Sequence, residues 1–124
     1  MLKRGFKAML AEANAAIETV SVQDLPYHME DSEAALIDVR ETVETERDGI
    51  IPGSAHVPRG LLEFQADPEC PAYNDVLDPA RRMILYCGTG GRSALAAKTL
   101  LDMGYADVAS LAGGYAAWRQ AQKD

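Results

Sequence analysis

A chain of 124 residues with 12 basic against 19 acidic side chains, net charge −7, has no basic face to offer nucleic acid or an anionic membrane surface. Its 48% apolar and 25% charged content suits one ordinary globular domain, and two cysteines are too few for a disulfide framework. No apolar run approaches the roughly 20 residues of a spanning helix, and the stretch after the basic N-terminus stops at Glu12, too short for a signal segment, so a cytoplasmic protein with no membrane partner is expected.

From Met1 to Thr19, the apolar residues Phe6, Met9, Leu10, Ala13 and Ile17 recur at helical spacing, which predicts an N-terminal helix packed on the domain or on a partner. Ser21 is positioned to cap a short helix over Val22–Met29. Ala34–Val39 reads as a buried strand and Arg40–Asp48 as a charged, helix-prone stretch. Gly49–Ser54 is a turn, and Ala55-His-Val is a short strand stopped by Pro58. Leu61–Gln65 offers one or two helical turns, Asp67–Asp78 is loop, and Pro79–Arg82 closes a helical turn. Met83–Cys87 is the clearest strand, a continuous apolar run of the kind buried on both faces. A glycine loop follows, then a helix over Arg92–Met103 capped by Gly104, a strand over Asp107–Leu111, and a last helix over Tyr115–Gln122 carrying Trp118. Strands alternating with helices predict an α/β fold with a largely parallel central sheet.

The chemistry concentrates in Cys87-Gly88-Thr89-Gly90-Gly91-Arg92-Ser93. A cysteine ends a buried strand, small residues follow, and a helix starts. Ligands of open α/β sheets bind outside the carboxyl ends of the strands. Glycines let successive N–H groups turn inward as an anion nest, and the helix start adds unpaired N–H groups. Both favour the thiolate of Cys87 and a persulfide on it, and Arg92 is expected to add a fixed positive charge. A buried, inert cysteine is the plain alternative. A phosphate-binding loop of the Walker type is a weak one, because the Gly-Lys-Ser/Thr ending is missing.

Four segments occur in an order that resembles the rhodanese family over roughly residues 19–120. The first is Asp38-Val-Arg-Glu41 with Glu44 and Gly49–Pro58. The others are Cys87–Ser93, then Leu100–Val108 with its Gly104-Tyr105, then Leu111-Ala-Gly-Gly-Tyr-Ala-Ala-Trp118. The resemblance implies a rhodanese-like domain over 19–124 with an extra helical extension over 1–18. It also implies a sulfurtransferase that takes sulfane sulfur from a small anionic donor (thiosulfate, a persulfide or mercaptopyruvate) through a Cys87 persulfide. The acceptor would be a thiol or cyanide, with a protein acceptor as a further candidate, and no cofactor or metal is called for. Cys87 to Arg92 counts six residues, the length found in sulfurtransferase members. Related dual-specificity phosphatases carry one more, which widens the cradle for phosphate. A non-catalytic binding module and a phosphatase or arsenate reductase are the competing functions.

Gly88, Thr89, Gly90, Gly91 and Arg92 are the expected anion-binding loop. Gly88 and Thr89 stand where thiosulfate-preferring members often carry basic residues. The family implies that Asp38 accepts hydrogen bonds from the loop, and an ordinary strand-end cap or ion pair is the plain alternative. Arg40 either pairs with Glu44 one turn on or faces the site. Arg59 either lines the entrance or is a solvated charge, and Ser93 supports the loop. His56 reads as a packed strand residue, His28 as helix surface and Cys70 as a plain loop cysteine. Tyr115 and Trp118 belong to the core or its rim.

Overall fold

In the computed structural model, which describes residues 1–30 and 33–124, helices and strands alternate along the chain. Helix α1 (Phe6–Ala16) precedes strand β1 (Glu18–Val20). A short α2 (Leu25–Met29) leads to β2 (Ala35–Asp38), α3 (Thr42–Asp48) and the two-residue β3 (Ala55–His56). A 3₁₀ turn at Arg59–Leu61 runs into α4 (Leu62–Gln65). After a long loop come β4 (Arg82–Tyr86), α5 (Gly91–Met103), β5 (Asp107–Leu111) and α6 (Gly114–Lys123). Among the described residues no helix is long and apolar enough to cross a membrane.

The strands form one sheet in the order β1-β5-β4-β2-β3, with every pairing parallel. Parallel neighbours need crossovers, and the helices supply them on both faces. β4 is the central strand. Met83, Leu85 and Cys87 point into the core shared with α5, where Ala96, Ala97 and Leu100 lie. Ile84 and Tyr86 point the other way, toward Leu25 of α2 and Tyr115 of α6. Both faces of the strand are buried, which is why Met83–Cys87 is apolar without alternation.

The α/β class and the parallel sheet are as the sequence predicts, but several boundaries move. The N-terminal helix stops at Ala16, and Glu18–Val20 is an edge strand paired with Ala109–Leu111. Strand pairing outweighs the helical spacing that carries on through Ile17. On α1 only Ala13 is fully buried, while Phe6 and Met9 stay exposed. The helix lies against α5, with Glu12 3.8 Å from Lys98. Residues 22–24 are turn, closed by the Asp24 N–H on Ser21 Oγ at 3.1 Å, and α2 begins only beside Pro26. Pro79–Arg82 is no helical turn. The Ala80 N–H bonds Asp78 Oδ1 at 2.9 Å, and Arg82 already belongs to β4.

At the end of β2 the chain buries an ion pair. Asp38 is 0% and Arg40 1% exposed. Arg40 donates from Nε to Asp38 Oδ1 at 3.0 Å, and from its terminal nitrogen to Oδ2 at 2.8 Å and to the Gly49 carbonyl at 2.7 Å. Its guanidinium lies 4.3 Å from the Tyr115 ring centre and 5.5 Å from that of Tyr86. Arg40 therefore pairs with Asp38, not with Glu44, and Asp38 accepts from Arg40, not from the glycine loop. Both Asp38 oxygens accept from Arg40, and Arg40 also reaches the Gly49 carbonyl, so the pair fixes how the chain turns from β2 into α3.

Arg40→Met strands a buried carboxylate and is expected to cost about 3–5 kcal/mol. Urea unfolding checks this as a lower midpoint at unchanged slope. Adding Asp38→Asn to the same chain should recover part of the loss. A single-variant loss under about 1 kcal/mol would mean that water reaches Asp38.

Candidate active site

Cys87 is the residue after β4, and α5 starts four residues on at Gly91. The chain must turn back sharply in between. Gly90 makes the turn at φ +117°, a conformation that L side chains rarely adopt. Its N–H then points at the sulfur, 3.1 Å from Cys87 Sγ. The Ser93 N–H adds a second bond at 3.4 Å, and the Ser93 hydroxyl lies 3.5 Å from the sulfur.

The loop keeps this shape because α6 holds it from behind. The Tyr115 N–H donates to the Cys87 carbonyl at 2.8 Å, and the Ala116 N–H donates to the Gly88 carbonyl at 3.0 Å. With the Gly88 carbonyl tied outward, the Thr89 amide of the same peptide unit faces the sulfur. Gly114 lets α6 come this close. A Cβ there would sit 2.5 Å from the Cys87 oxygen and 2.8 Å from the Gly88 carbonyl carbon, and its φ is +60°. Gly88 is not at positive φ, but a Cβ on it would meet the Arg92 guanidinium at 3.2 Å.

Cys87 is 1% exposed. Burial pushes its thiol up. Hydrogen bonds from the Ser93 hydroxyl and from the amides of Ser93, Gly90 and Thr89 pull it down, and the net result lies below the ordinary cysteine value. Ser110 of β5 stands behind Ser93, with the two hydroxyl oxygens 2.8 Å apart. When Ser110 donates to Ser93, the Ser93 hydrogen is free for a thiolate. When the thiol donates to Ser93, that hydrogen turns to the Gly90 carbonyl, 3.2 Å away. The pair can follow either charge state of the sulfur. A lone serine inside a strand gives no sign of this, and the sequence reading missed it.

Arg92 departs from expectation. Its guanidinium grips the Glu44 carboxylate at the rim, at 2.5 Å to Oε1 and 2.9 Å to Oε2. The hydrogen bond from Arg92, against some cost of burial and with help from the Glu41 amide, holds the Glu44 carboxyl at about 2. The positive charge expected in the pocket is thus neutralised, and the nearest stabilisers of an anion at the sulfur are neutral amides and a hydroxyl.

Arg59 lies elsewhere. It bonds Glu63 at 2.9 Å and Thr99 Oγ1 at 3.2 Å, about 12 Å along α5 from the loop. His56 Nε2 sits 2.7 Å from the Arg40 carbonyl, and His28 meets Arg82 at the start of β4. Cys70 is half-buried in the loop that Tyr105 pins by donating to the carbonyls of Ala66 and Leu77 at 2.8 and 3.0 Å. Tyr105 precedes β5, so this loop lies at the opposite end of the sheet from Cys87, about 16 Å away along β4. Tyr115 is stacked on Tyr86, with ring centres 6.5 Å apart, and Trp118 leans on Tyr115 at 5.7 Å.

The rhodanese-like domain family model matches residues 21–121. A sulfurtransferase of Allochromatium vinosum is 30% identical over 103 residues, which cover 82% of this chain and 88% of that protein. Among solved structures, a protein of unknown function and possible tyrosine phosphatase from Rhodopseudomonas palustris CGA009 superposes with a TM-score of 0.92. It is 44% identical, and the match covers 98% of this chain and 94% of that one. The polysulfide-sulfur transferase homodimer from Wolinella succinogenes superposes with a TM-score of 0.75 at 30% identity, covering 94% of this chain and 83% of that one.

Gly114→Ala forces backbone against backbone and should cost about 2–4 kcal/mol. It should also move the pH midpoint of Cys87 alkylation by iodoacetamide upward from the wild-type value, which is expected below the ordinary cysteine figure of about 8.5. A stable variant with an unmoved midpoint would mean that the loop keeps its shape without α6.

Proposed function

The chain belongs to the rhodanese-like domain family, and we propose that it is a sulfurtransferase that carries sulfane sulfur as a persulfide on Cys87. The observation that carries this reading is the cradle itself. One buried sulfur has two backbone N–H groups within 3.4 Å and a serine hydroxyl at 3.5 Å. Such a site favours an anion of sulfur size.

In the first half-reaction the Cys87 thiolate attacks the outer sulfur of a donor. The donor's S–S bond breaks, and its remainder leaves with the electron pair: a thiolate from a persulfide, sulfite from thiosulfate. In the second, a thiol or cyanide attacks the terminal sulfur, and the Cys87 thiolate leaves. No net oxidation occurs. The amides of Thr89, Gly90 and Ser93 hold the negative charge throughout, first on Sγ and then on the terminal sulfur. Chemistry that needs a free thiol suits a reducing compartment, and we place it in the cytoplasm.

A second reading comes from the Rhodopseudomonas palustris relative, described as a possible tyrosine phosphatase. The six-residue span from Cys87 to Arg92 disfavours it, as does the carboxylate of Glu44 fixed at the rim, where a phosphate ester would enter.

Intact mass after incubation with thiosulfate or a persulfide should show an adduct of about 32 Da. Cys87→Ser should lose both adduct and turnover, while Cys70→Ser should lose neither. Hydrolysis of para-nitrophenyl phosphate should be absent. Adduct formation in Cys87→Ser would move the site elsewhere. Failure of every donor to load the wild type would leave a binding module.

A further inference from the structure

The rim of the cradle is crossed by an ion pair held from both ends. Glu44 is anchored on α3, where its Oε1 accepts the Glu41 N–H at 3.1 Å in a capping box. The same carboxylate takes both terminal nitrogens of Arg92 from the start of α5. The pair passes over Gly88, next to Cys87, since a Cβ on Gly88 would lie 3.2 Å from Arg92 and 3.8 Å from Glu44 Oε2. A molecule approaching the sulfur from this side meets a neutral pair with a fixed carboxylate, not a free cation. The other arginines expected nearby are committed, Arg40 to Asp38 and Arg59 to Glu63.

We propose that Glu44 sets the charge class of the donor: by locking Arg92 it admits sulfur donors with at most one negative charge, such as organic persulfides, and disfavours dianions such as thiosulfate. The proposal rests on the sulfur-transfer reading above. A dianion must either pull Arg92 out of a bidentate pair or bind beside the Glu44 charge with only amide dipoles to offset it. Those dipoles already serve the Cys87 thiolate, so attack on thiosulfate gathers three negative charges in one pocket. A persulfide brings one or none. Because the Glu44 carboxyl stays ionised down to about 2, the pair is closed at every ordinary pH and acts as a fixed filter.

Glu44→Gln removes the charge and keeps an acceptor for the Glu41 N–H. One unit of charge roughly 6 Å away, at a water-like rim dielectric of about 80, changes monoanion binding about threefold and dianion binding about tenfold. The primary measurement uses sulfate, an inert dianion, to protect Cys87 from iodoacetamide. The half-protecting concentration should fall about tenfold in Glu44→Gln, and the gain should shrink at high NaCl. Acetate protection should improve only about threefold. Glu44→Ala provides the same test should Gln fail to fold. Loading of Cys87, followed by intact mass, should show the same split between thiosulfate and cysteine persulfide. Unchanged sulfate protection, or equal gains for sulfate and acetate, overturns the filter. Better sulfate protection with no loading from any donor overturns the sulfur-transfer reading and leaves the filter standing.

Discussion

Two carbonyl groups, those of Cys87 and Gly88, are held by the first amides of α6 at 2.8 and 3.0 Å, and the geometry of the reactive sulfur follows from that restraint. A peptide unit has one donor and one acceptor at opposite ends. Fixing the Gly88 acceptor outward turns the Thr89 donor inward, at the entry to the turn at Gly90. Gly90 is then needed for its left-handed turn, and Gly114 because no side chain fits between helix and loop. The loop is thus a product of two helices. The glycine loop and the first turn of α5 supply the N–H groups that face the sulfur, and α6 supplies those that hold the loop.

The opposing energies at Cys87 are both local. Burial alone would keep a thiol protonated and inert. The amides and the Ser93 hydroxyl reverse this without a lysine, arginine or histidine in contact with the sulfur. The nearby full charges are paired with each other: Asp38 with Arg40 in the core, Glu44 with Arg92 at the rim. An acidic protein thereby keeps a pocket in which the groups in contact with the sulfur are dipoles and the Arg92 charge is shared with Glu44.

Much of this is legible in the residues, and the exceptions have physical causes. β4 and its loop stand out because a strand buried on both faces must be continuously apolar, and because glycines after a cysteine have few other uses. β1 is hidden. It has three residues at a sheet edge, and the helical spacing of Phe6 to Ile17 runs on into it. Arg40 was ambiguous because spacing alone offers Glu44 one turn away. The choice fell to Asp38, the carboxylate buried on the same strand end. Glu44 was then left to reach Arg92, 48 residues away, a pairing that no local pattern encodes. Ser110 is silent for the same reason. Gly113-Gly114 stands in the sequence just before the predicted last helix, but the need for the second glycine depends on a backbone 27 residues earlier.

The position of β4 has a further consequence. It is the middle strand of five, with β5 and β1 on one side and β2 and β3 on the other. Edge strands of two or three residues fray cheaply, whereas a central strand opens only when the whole sheet does. Cys87 hangs directly from that strand, so exchange around it is expected to be among the slowest in the molecule. A sulfur atom parked there would not be uncovered by local breathing. On the proposed sulfur-transfer reading it would leave only through the rim, to a molecule small enough to enter, so the rigidity of the sheet would protect a reactive cargo in transit.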